Sequence, residues 1–232
     1  MQRFYKKNLE NRFFLEQKDF MNQILKVLRS KIGDKFIFFD GEIQKDFIYE
    51  LKEIGKNKIF FEKIEEINKN SEINFELNLF SALPNKIEKI EFIVQKATEI
   101  GVSNFYFWKA KRSQKIFLNE NKIERIKKII LEAVEQSGRN KIPNFQILEK
   151  VDFEKLTGKN IFFHTKNKNS KNLKDLEFSE KINIFTGPEG GFGGEELEIF
   201  EENNFEIFYL GDRILRTETS AISTAFFIIQ KF

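Results

Sequence analysis

The chain has 232 residues, a formal net charge of +3 and 41% apolar residues, which is enough to bury a sizeable core in one large domain or two small ones. It has no cysteine and a single histidine, His164, which excludes disulfides, thiolate chemistry and a polyhistidine metal site, so we expect no bound metal. The basic N-terminus has no apolar stretch typical of a secretory signal, and the longest apolar run, at the C-terminus, is shorter than the roughly 20 residues that span a bilayer. We therefore expect a soluble, cytoplasmic protein that is not a membrane protein.

The first third of the chain has the pattern of a small β-rich unit with one helix. The stretch DFMNQILKVLRS predicts the helix, with Asp19 as its N-cap. Apolar runs between residues 36 and 67 predict antiparallel strands, joined at Asp40-Gly41 and at residues 55–57. The pattern changes after the polar segment 68–72, which predicts a boundary between a domain 1–72 and a domain 73–232.

From residue 73 onward, strand and helix patterns alternate. Strands are predicted at 75–83, 105–110, 160–165, 182–187 and 205–211, and helices at 86–100, at 119–137 and at the C-terminus. Such alternation is typical of an α/β fold with a largely parallel sheet covered by helices. The C-terminal helix is apolar on nearly all sides, so we expect it to be buried on most of them.

The stretch IFTGPEGGFGGEELEIF, residues 184–200, places five glycines between a predicted strand and a helical pattern. It lacks the Gly-Lys-Ser/Thr ending of a P-loop, and its glycine spacing does not match the G-x-G-x-x-G of dinucleotide-binding loops. Glu189, Glu195 and Glu196 would repel a pyrophosphate, although the last two are also typical of the first turn of a helix. An open backbone with one carboxylate favours a neutral or cationic nucleotide, and S-adenosylmethionine is such a nucleotide.

A second loop, LGDRILRTETSA at 210–221, makes the pattern specific. GPEGGF-x-x-x-E followed by LG-x-RILR-x-ET-x-A resembles the ribosomal small subunit methyltransferase E family, which belongs to the SPOUT superfamily of knotted, S-adenosylmethionine-dependent RNA methyltransferases. Four further stretches are similar to the family in order and spacing: KVLR at 26–29, QKATEIGV at 95–102, KRSQK at 111–115 and EAVEQSGRNKIP at 132–143. The chain departs from the family at Asn22 and Gln23, where members often have His, and at Thr165, where they often have Pro.

The resemblance implies a fold and an activity. Residues 1–72 would form a PUA-like β-barrel that docks RNA, and residues 73–232 a trefoil-knotted SPOUT domain that works as a homodimer. The implied reaction is methylation of N3 of one uridine in 16S ribosomal RNA within the assembled small ribosomal subunit, with S-adenosylmethionine as cofactor. Two alternatives stay open: a SPOUT enzyme that acts on another RNA such as transfer RNA, and a relative that binds RNA without the cofactor.

The resemblance also implies that backbone groups and apolar side chains after three strands enclose the cofactor. The expected cofactor-binding residues are His164, Thr165, Thr186, Gly187, Pro188, Glu189, Gly190, Leu210, Gly211, Ile214, Leu215, Arg216, Thr219 and Ala221. The arginines expected to contact RNA are Arg3, Arg12, Arg29, Arg112 and Arg139.

N3 of uracil becomes a good nucleophile only after it loses its proton, so the site needs a proton acceptor and groups that stabilise negative charge on O2 and O4. Arg216 is our candidate for stabilising the uracil oxygens or orienting the cofactor carboxylate, with a salt bridge to Glu218 or Glu189 as the alternative. Glu218 is a candidate proton acceptor, and it could instead orient Arg216 or cap the last helix. Glu189 could face the sulfonium or Arg216.

Overall fold

The computed structural model describes residues 1–164 and 170–232. The chain forms two compact units, of which the first consists of Met1–Glu72 with Val134–Lys141 and the second of Ile73–Ala133 with Ile142–Phe232. Within the two described ranges, none of the helices combines the length and the apolar character that a membrane crossing requires. The RNA-docking role of residues 1–72 stays a prediction.

Every residue of the first unit is described, and its strands form one five-stranded sheet. The strands are β1 (Arg3–Tyr5), β2 (Arg12–Leu15), β3 (Lys35–Phe39), β4 (Lys45–Ile54) and β5 (Ile59–Asn68). They lie in the order β1-β3-β4-β5-β2, with β1 parallel to β3 and the other neighbours antiparallel. The antiparallel strands predicted between residues 36 and 67 are therefore confirmed, whereas β1 and β2 are too short to show in the pattern.

The helix of the first unit differs from the prediction at its start. α1 (Lys18–Asn22) continues directly into π-helical turns at Gln23–Val27. Gln17 precedes the helix with an extended backbone, and Asp19 lies in the first turn, so the prediction of Asp19 as N-cap is wrong. A carboxylate in the first turn still complements the positive end of the helix dipole.

Aromatic rings fill the core of the first unit. Phe13 lies 5.1 Å from Phe38 and 4.9 Å from Tyr49 between ring centroids, both in edge-to-face geometry, and it stacks on Phe61 at 5.4 Å. Each ring buries roughly 150–250 Å² and edge-to-face pairs add attraction beyond that area. Phenylalanine side chains thus fill the core of this unit, which is small and has few residues that can be fully buried.

One buried ion pair and a hydrogen bond to a second pair attach residues 134–141 to the rest of the first unit. Arg3 lies 2.9 Å from Asp46, which also accepts a hydrogen bond from Asn140 at 3.0 Å, and Arg139 lies 2.8 Å from Glu72. Burial alone would raise the pKa of both carboxyl groups, but the hydrogen bonds and charges of the arginines outweigh it and hold each pKa below its ordinary value. The motif around Arg139 therefore stabilises the fold of this unit.

The second unit alternates strands and helices as predicted. Its elements are β6 (Glu76–Ala82), α2 (Ile87–Ile100), β7 (Asn104–Trp108), α3 (Glu120–Ser137, whose last turn falls in the first unit), β8 (Asn144–Leu148), β9 (Lys159–Phe163), β10 (Lys171–Asn172), β11 (Lys181–Thr186), α4 (Gly194–Glu202), β12 (Glu206–Tyr209) and α5 (Thr217–Lys231). In the described part of the chain these strands form one parallel sheet in the order β10-β12-β9-β11-β6-β7-β8. The predicted α/β class is confirmed, and the trefoil knot stays a prediction.

Two features of this unit differ from expectation. β8 was not predicted, although its NFQIL sequence alternates polar and apolar residues, because the pattern covers only five residues directly after a proline. The C-terminal helix α5 is buried on one face only: Ala221, Ala225 and Ile228 are fully buried, whereas Phe226 and Phe227 are 54% and 36% exposed. The chain on its own therefore does not cover the apolar side chains of α5 on most sides.

The order of the strands determines where a ligand can bind. β12, β9 and β11 are neighbours in the parallel sheet, so their carboxyl ends lie side by side at one edge. In open α/β sheets, ligands bind in the crevice outside the carboxyl ends of the strands. The segments that leave these three strands begin at His164, Gly187 and Leu210, where the sequence predicted a site.

Candidate functional site

A cavity of about 690 Å³ lies at this edge of the second unit. The predicted residues that line it are His164, Gly187, Pro188, Glu189, Gly190, Leu210, Gly211, Ile214, Leu215 and Arg216. Thr186 and Ala221 are buried next to these loops without lining the cavity, and Thr219 and Glu218 also lie outside its wall. Thr165 lies outside the described residues.

The cavity wall also contains residues that the sequence did not single out for this site. They are Lys89, Phe163, Gly191, Phe192, Tyr209, Asp212, Arg213, Thr217 and Ser220, together with Arg112, which was predicted to contact RNA. Several of them directly neighbour predicted residues and could have been found by extending the motifs. Lys89 could not, because it lies on α2, 100 positions before its partner Glu189.

Residues 187–191, which we call the glycine loop, are held by side chains and backbone from three other segments. Glu189 accepts hydrogen bonds from Lys89 Nζ at 2.6 Å and from the backbone N–H of Asn85 at 3.2 Å. Arg112 Nη1 donates to the Gly190 carbonyl at 2.9 Å, and Thr217 Oγ1 donates to the Gly187 carbonyl at 3.2 Å. The loop is therefore fixed at three successive places around the cavity.

These contacts determine the charge state of Glu189. Partial burial would raise the pKa of its carboxyl group, but the Lys89 hydrogen bond, the backbone N–H donors and the Lys89 charge outweigh it and lower the pKa. Glu189 is thus ionised at neutral pH and paired with a lysine. A carboxylate with a lowered pKa is a weaker base, so Glu189 is better suited to holding the loop than to accepting a proton.

Glu195 and Glu196 do more than complement the dipole of α4. Glu196 accepts from the Gly193 N–H at 2.7 Å, as a capping residue, and also from the Lys111 N–H at 2.7 Å. Glu195 forms an ion pair with Lys111. The segment after β7 is thereby attached to the start of α4, which places Arg112 beside the glycine loop.

Arg216 lies at the N-cap position of α5 with its side chain exposed on the cavity wall. Among residues 1–164 and 170–232 it has no ion-pair partner, and neither of the salt bridges considered from the sequence is formed, since Glu189 pairs with Lys89. Glu218 lies in the first turn of α5, and its Oε2 atom is buried without a hydrogen-bond partner in the described part of the chain. Arg216 is therefore free to bind an anionic or carbonyl oxygen.

The arginines predicted to contact RNA separate into two groups. Arg3 and Arg139 are buried, and their guanidinium groups are occupied by Asp46 and Glu72, so they cannot reach an RNA backbone without breaking those pairs. Arg12 is exposed in an ion pair with Glu62, Arg29 is exposed with a backbone φ of +53°, and Arg112 lines the cavity. Arg12, Arg29 and Arg112 therefore remain the candidate RNA contacts.

The cavity has the size and the mixed charge of a small-molecule site. Its volume lies within the roughly 300–1,000 Å³ that is usual for small-molecule sites. A Cβ atom added to Gly191 or Gly211 would meet no described atom within 4 Å, so both glycines leave open space at the wall. The wall carries the cations Lys89, Arg112, Arg213 and Arg216 and the carboxylates Glu189 and Asp212, a mixture that suits a zwitterionic ligand beside an anionic one.

Comparison with known proteins identifies the family of the chain. A family model described as RNA methyltransferase domain matches residues 71–229, and one described as RNA methyltransferase PUA domain matches residues 24–64. Curated proteins named ribosomal RNA small subunit methyltransferase E from Buchnera aphidicola and Bacillus subtilis are each 33% identical to this chain. The alignments cover 91% and 87% of this chain and 85% and 84% of the two relatives.

Two solved structures resemble the whole chain. A methyltransferase from Legionella pneumophila, in complex with the bound cofactor SAM, has a TM-score of 0.86 at 26% identity and covers 98% of this chain and 96% of its own. A ribosomal RNA small subunit methyltransferase E from Neisseria gonorrhoeae, bound to S-adenosyl methionine, has a TM-score of 0.83 at 27% identity and covers 97% and 95%.

A methyltransferase domain that spans most of the chain, together with a PUA domain before it, defines an RNA methyltransferase of the SPOUT class. The sequence identity narrows the class to one family. About one residue in three is identical to the curated relatives, over most of both chains. The chain belongs to the ribosomal RNA small subunit methyltransferase E family. The resemblance seen in the two C-terminal loops is thereby confirmed.

Proposed function

We propose that this protein transfers a methyl group from S-adenosylmethionine to N3 of a uridine in the 16S ribosomal RNA of the small subunit. The observation that carries the proposal is the cavity at the carboxyl ends of β9, β11 and β12, built from the loops that show the family motifs. The two similar structures from Legionella pneumophila and Neisseria gonorrhoeae were solved with this cofactor, which supports the same ligand here. The glycine loop carries the carboxylate of Glu189, which would repel a phosphate, so the loop agrees with a ligand that has none.

The cofactor would be held by the segments that follow the three strands. Gly187 to Gly190 and Leu210 to Leu215 present backbone groups and apolar side chains to the cavity, and His164 closes it at the end of β9. When bound, S-adenosylmethionine supplies a methyl group on a sulfonium, which needs no further activation. The protein's own task is to bring N3 of the base into line with that group and to stabilise the charge that develops on the base.

Arg216 is the residue that we assign to the uracil oxygens. Its guanidinium is exposed on the cavity wall and has no ion-pair partner in the described part of the chain, so it can donate to O2 or O4 as negative charge develops there. A planar, permanently charged donor suits two hydrogen bonds to a carbonyl oxygen or carboxylate. The base must leave its stack to reach this position.

Of the two predicted carboxylates, Glu218 is the one with an unfilled acceptor atom, although its side chain lies outside the cavity wall and that atom is buried. Its Oε2 atom has no hydrogen-bond partner among the described residues, whereas the Glu189 carboxylate already accepts from Lys89 and Asn85. Glu218 lies two residues after Arg216 in the first turn of α5, so its role as proton acceptor requires that binding of the base opens a path from the cavity to Oε2.

The proposal includes a homodimer and a role for the first unit in RNA docking. The exposed Phe226 and Phe227 on α5 support dimerisation, because a second copy would cover apolar rings that this chain leaves open. The match of residues 24–64 to a PUA domain of RNA methyltransferases supports docking of ribosomal RNA. Sedimentation of the purified protein tests the dimer, which we expect to weaken in F226D.

The experiment that tests the function combines binding and turnover. Calorimetry should show one S-adenosylmethionine site per chain, and purified small subunits from a strain that lacks the gene should accept labelled methyl groups on 16S RNA. Transfer RNA and free uridine should accept none. Labelling of transfer RNA in place of the subunit would identify a different substrate, and the absence of cofactor binding would refute the activity.

A further inference from the structure

The glycine loop needs contacts from outside to keep one shape. Three of its five residues are glycines, which lose more conformational freedom on ordering than any other residue. Its only described internal backbone hydrogen bond joins the Gly191 N–H to the Pro188 carbonyl at 2.9 Å, and Gly191 has a φ of +67°. The segments that pack against the loop therefore determine which conformation it adopts.

The contact at Glu189 differs from the other two because it joins opposite charges. Lys89 Nζ lies 2.6 Å from Glu189 Oε1, and the side chains are only 23% and 31% exposed. The same oxygen accepts from the Asn85 N–H just before α2, so the carboxylate also lies at the positive end of that helix. Shielding from water strengthens such a pair relative to a fully exposed one.

Lys89 has no other role that the structure reveals. α2 is held in the core by Ile90, Ile93 and Val94, which are fully buried, whereas Lys89 extends from the helix to the cavity wall. Removing its charge leaves the apolar packing of α2 intact. The consequence of its loss should therefore fall on the loop rather than on the fold.

We propose that Lys89 is a positioning residue, which holds the glycine loop in the shape that binds the cofactor through its ion pair with Glu189. The inference rests on the proposed function only for the identity of the ligand. Arg112 and Thr217 hold the loop at Gly190 and Gly187, on either side of this pair, so Lys89 fixes its centre. A loop released at Glu189 would spend part of its time in shapes that do not bind.

The first measurement follows the loop in the cofactor-free protein. In K89M, hydrogen–deuterium exchange of the Gly191 amide should rise at least tenfold relative to wild type. K89R, which keeps the charge, should stay within threefold. The matched control is K127M on α3, because Lys127 also pairs with a glutamate, Glu124 at 2.8 Å, but does not line the cavity. It should leave the exchange unchanged.

The second measurement is the calorimetric affinity for S-adenosylmethionine in the absence of RNA. We expect Kd to rise at least tenfold in K89M, to stay within threefold in K89R and to be unchanged in K127M. In turnover assays, KM for the cofactor should rise more than kcat falls. If K89M does not fold, E189Q serves in its place, with a smaller loss in the same direction because the amide keeps one acceptor.

The outcomes separate this proposal from the function on which it rests. If wild type binds no S-adenosylmethionine, the proposed function fails, and the exchange experiment still decides whether Lys89 holds the loop. Unchanged exchange in K89M overturns the proposal, even with weaker affinity, because Lys89 would then act by touching the ligand. Faster exchange with unchanged affinity also overturns it, because the loop shape would not matter for binding.

Discussion

Replacing Arg216 with alanine tests the assignment of the reacting end of the cavity. The Arg216 side chain is exposed and has no ion-pair partner within residues 1–164 and 170–232, so its loss should change the free energy of unfolding by no more than about 0.5 kcal/mol. If the guanidinium stabilises charge on the uracil oxygens, its loss should raise the barrier to methyl transfer by about 3 kcal/mol, a rate decrease on the order of a hundredfold. Stability and rate should therefore separate clearly.

The assay is single-turnover methylation of small subunits at saturating cofactor, with a melting curve of each variant alongside. R216K should recover only part of the rate, because an ammonium cannot reproduce the planar fork of donors. The control is R125A, which removes another exposed arginine of the second unit, one that pairs with Glu91 at 2.8 Å and does not line the cavity. Its rate should equal that of wild type.

One result would refute this reasoning. If R216A methylates at the wild-type rate per folded molecule, Arg216 does not touch the reacting base, and the charge must be stabilised elsewhere on the wall. If instead R216A loses cofactor affinity as strongly as rate, its guanidinium orients the cofactor carboxylate, which is the second role considered for it.

Three further predictions concern other parts of the molecule. G211A should weaken calorimetric cofactor binding, because Gly211 has a φ of +109° at the cavity wall and a side chain there costs roughly 1–3 kcal/mol. R29A should lower the affinity for small subunits and reduce the salt dependence by about one charge while cofactor affinity stays unchanged, and an unaltered salt slope would remove Arg29 from the interface. D46N should destabilise the protein by about 3 kcal/mol in denaturant titrations at pH 7, because it leaves the Arg3 charge buried without its partner. The pKa of Asp46 is lowered in the folded state, so its stabilising contribution is complete well above the ordinary pKa of 3.8. This contribution is lost as the pH falls through 3.8 and then through the lower pKa of the folded state. Wild type should therefore lose more stability than D46N on acidification.

The sequence predicts the region of the site well because its signals are local. Glycine-rich and arginine-rich motifs directly follow two apolar strands, and parallel strands bring their carboxyl ends to one edge. The loops after β11 and β12 therefore meet at the cavity where the motifs placed them. The α/β alternation after residue 73 is predictable for the same reason, since each strand and helix has its own periodicity.

Other features depend on partners that are distant in the sequence. Lys89 is one of many surface lysines until the fold brings it to Glu189, and Arg139 resembles an RNA contact until Glu72, 67 positions away, is found to neutralise it. The burial of Arg3 by Asp46 has the same cause. Charged residues on a single chain do not reveal their partners, so the division between buried ion pairs and free cations had to come from the structure.

The central claim is that this chain methylates N3 of a uridine in 16S ribosomal RNA. Mass spectrometry of nucleosides from purified 16S RNA tests it directly, in a strain that lacks the gene and in the same strain that carries either the wild-type or the R216A gene. We expect 3-methyluridine to be absent from the deletion strain, restored by the wild-type gene and reduced or absent with R216A. Unchanged 3-methyluridine in the deletion strain, or a methylated nucleoside lost from transfer RNA instead, would contradict the claim.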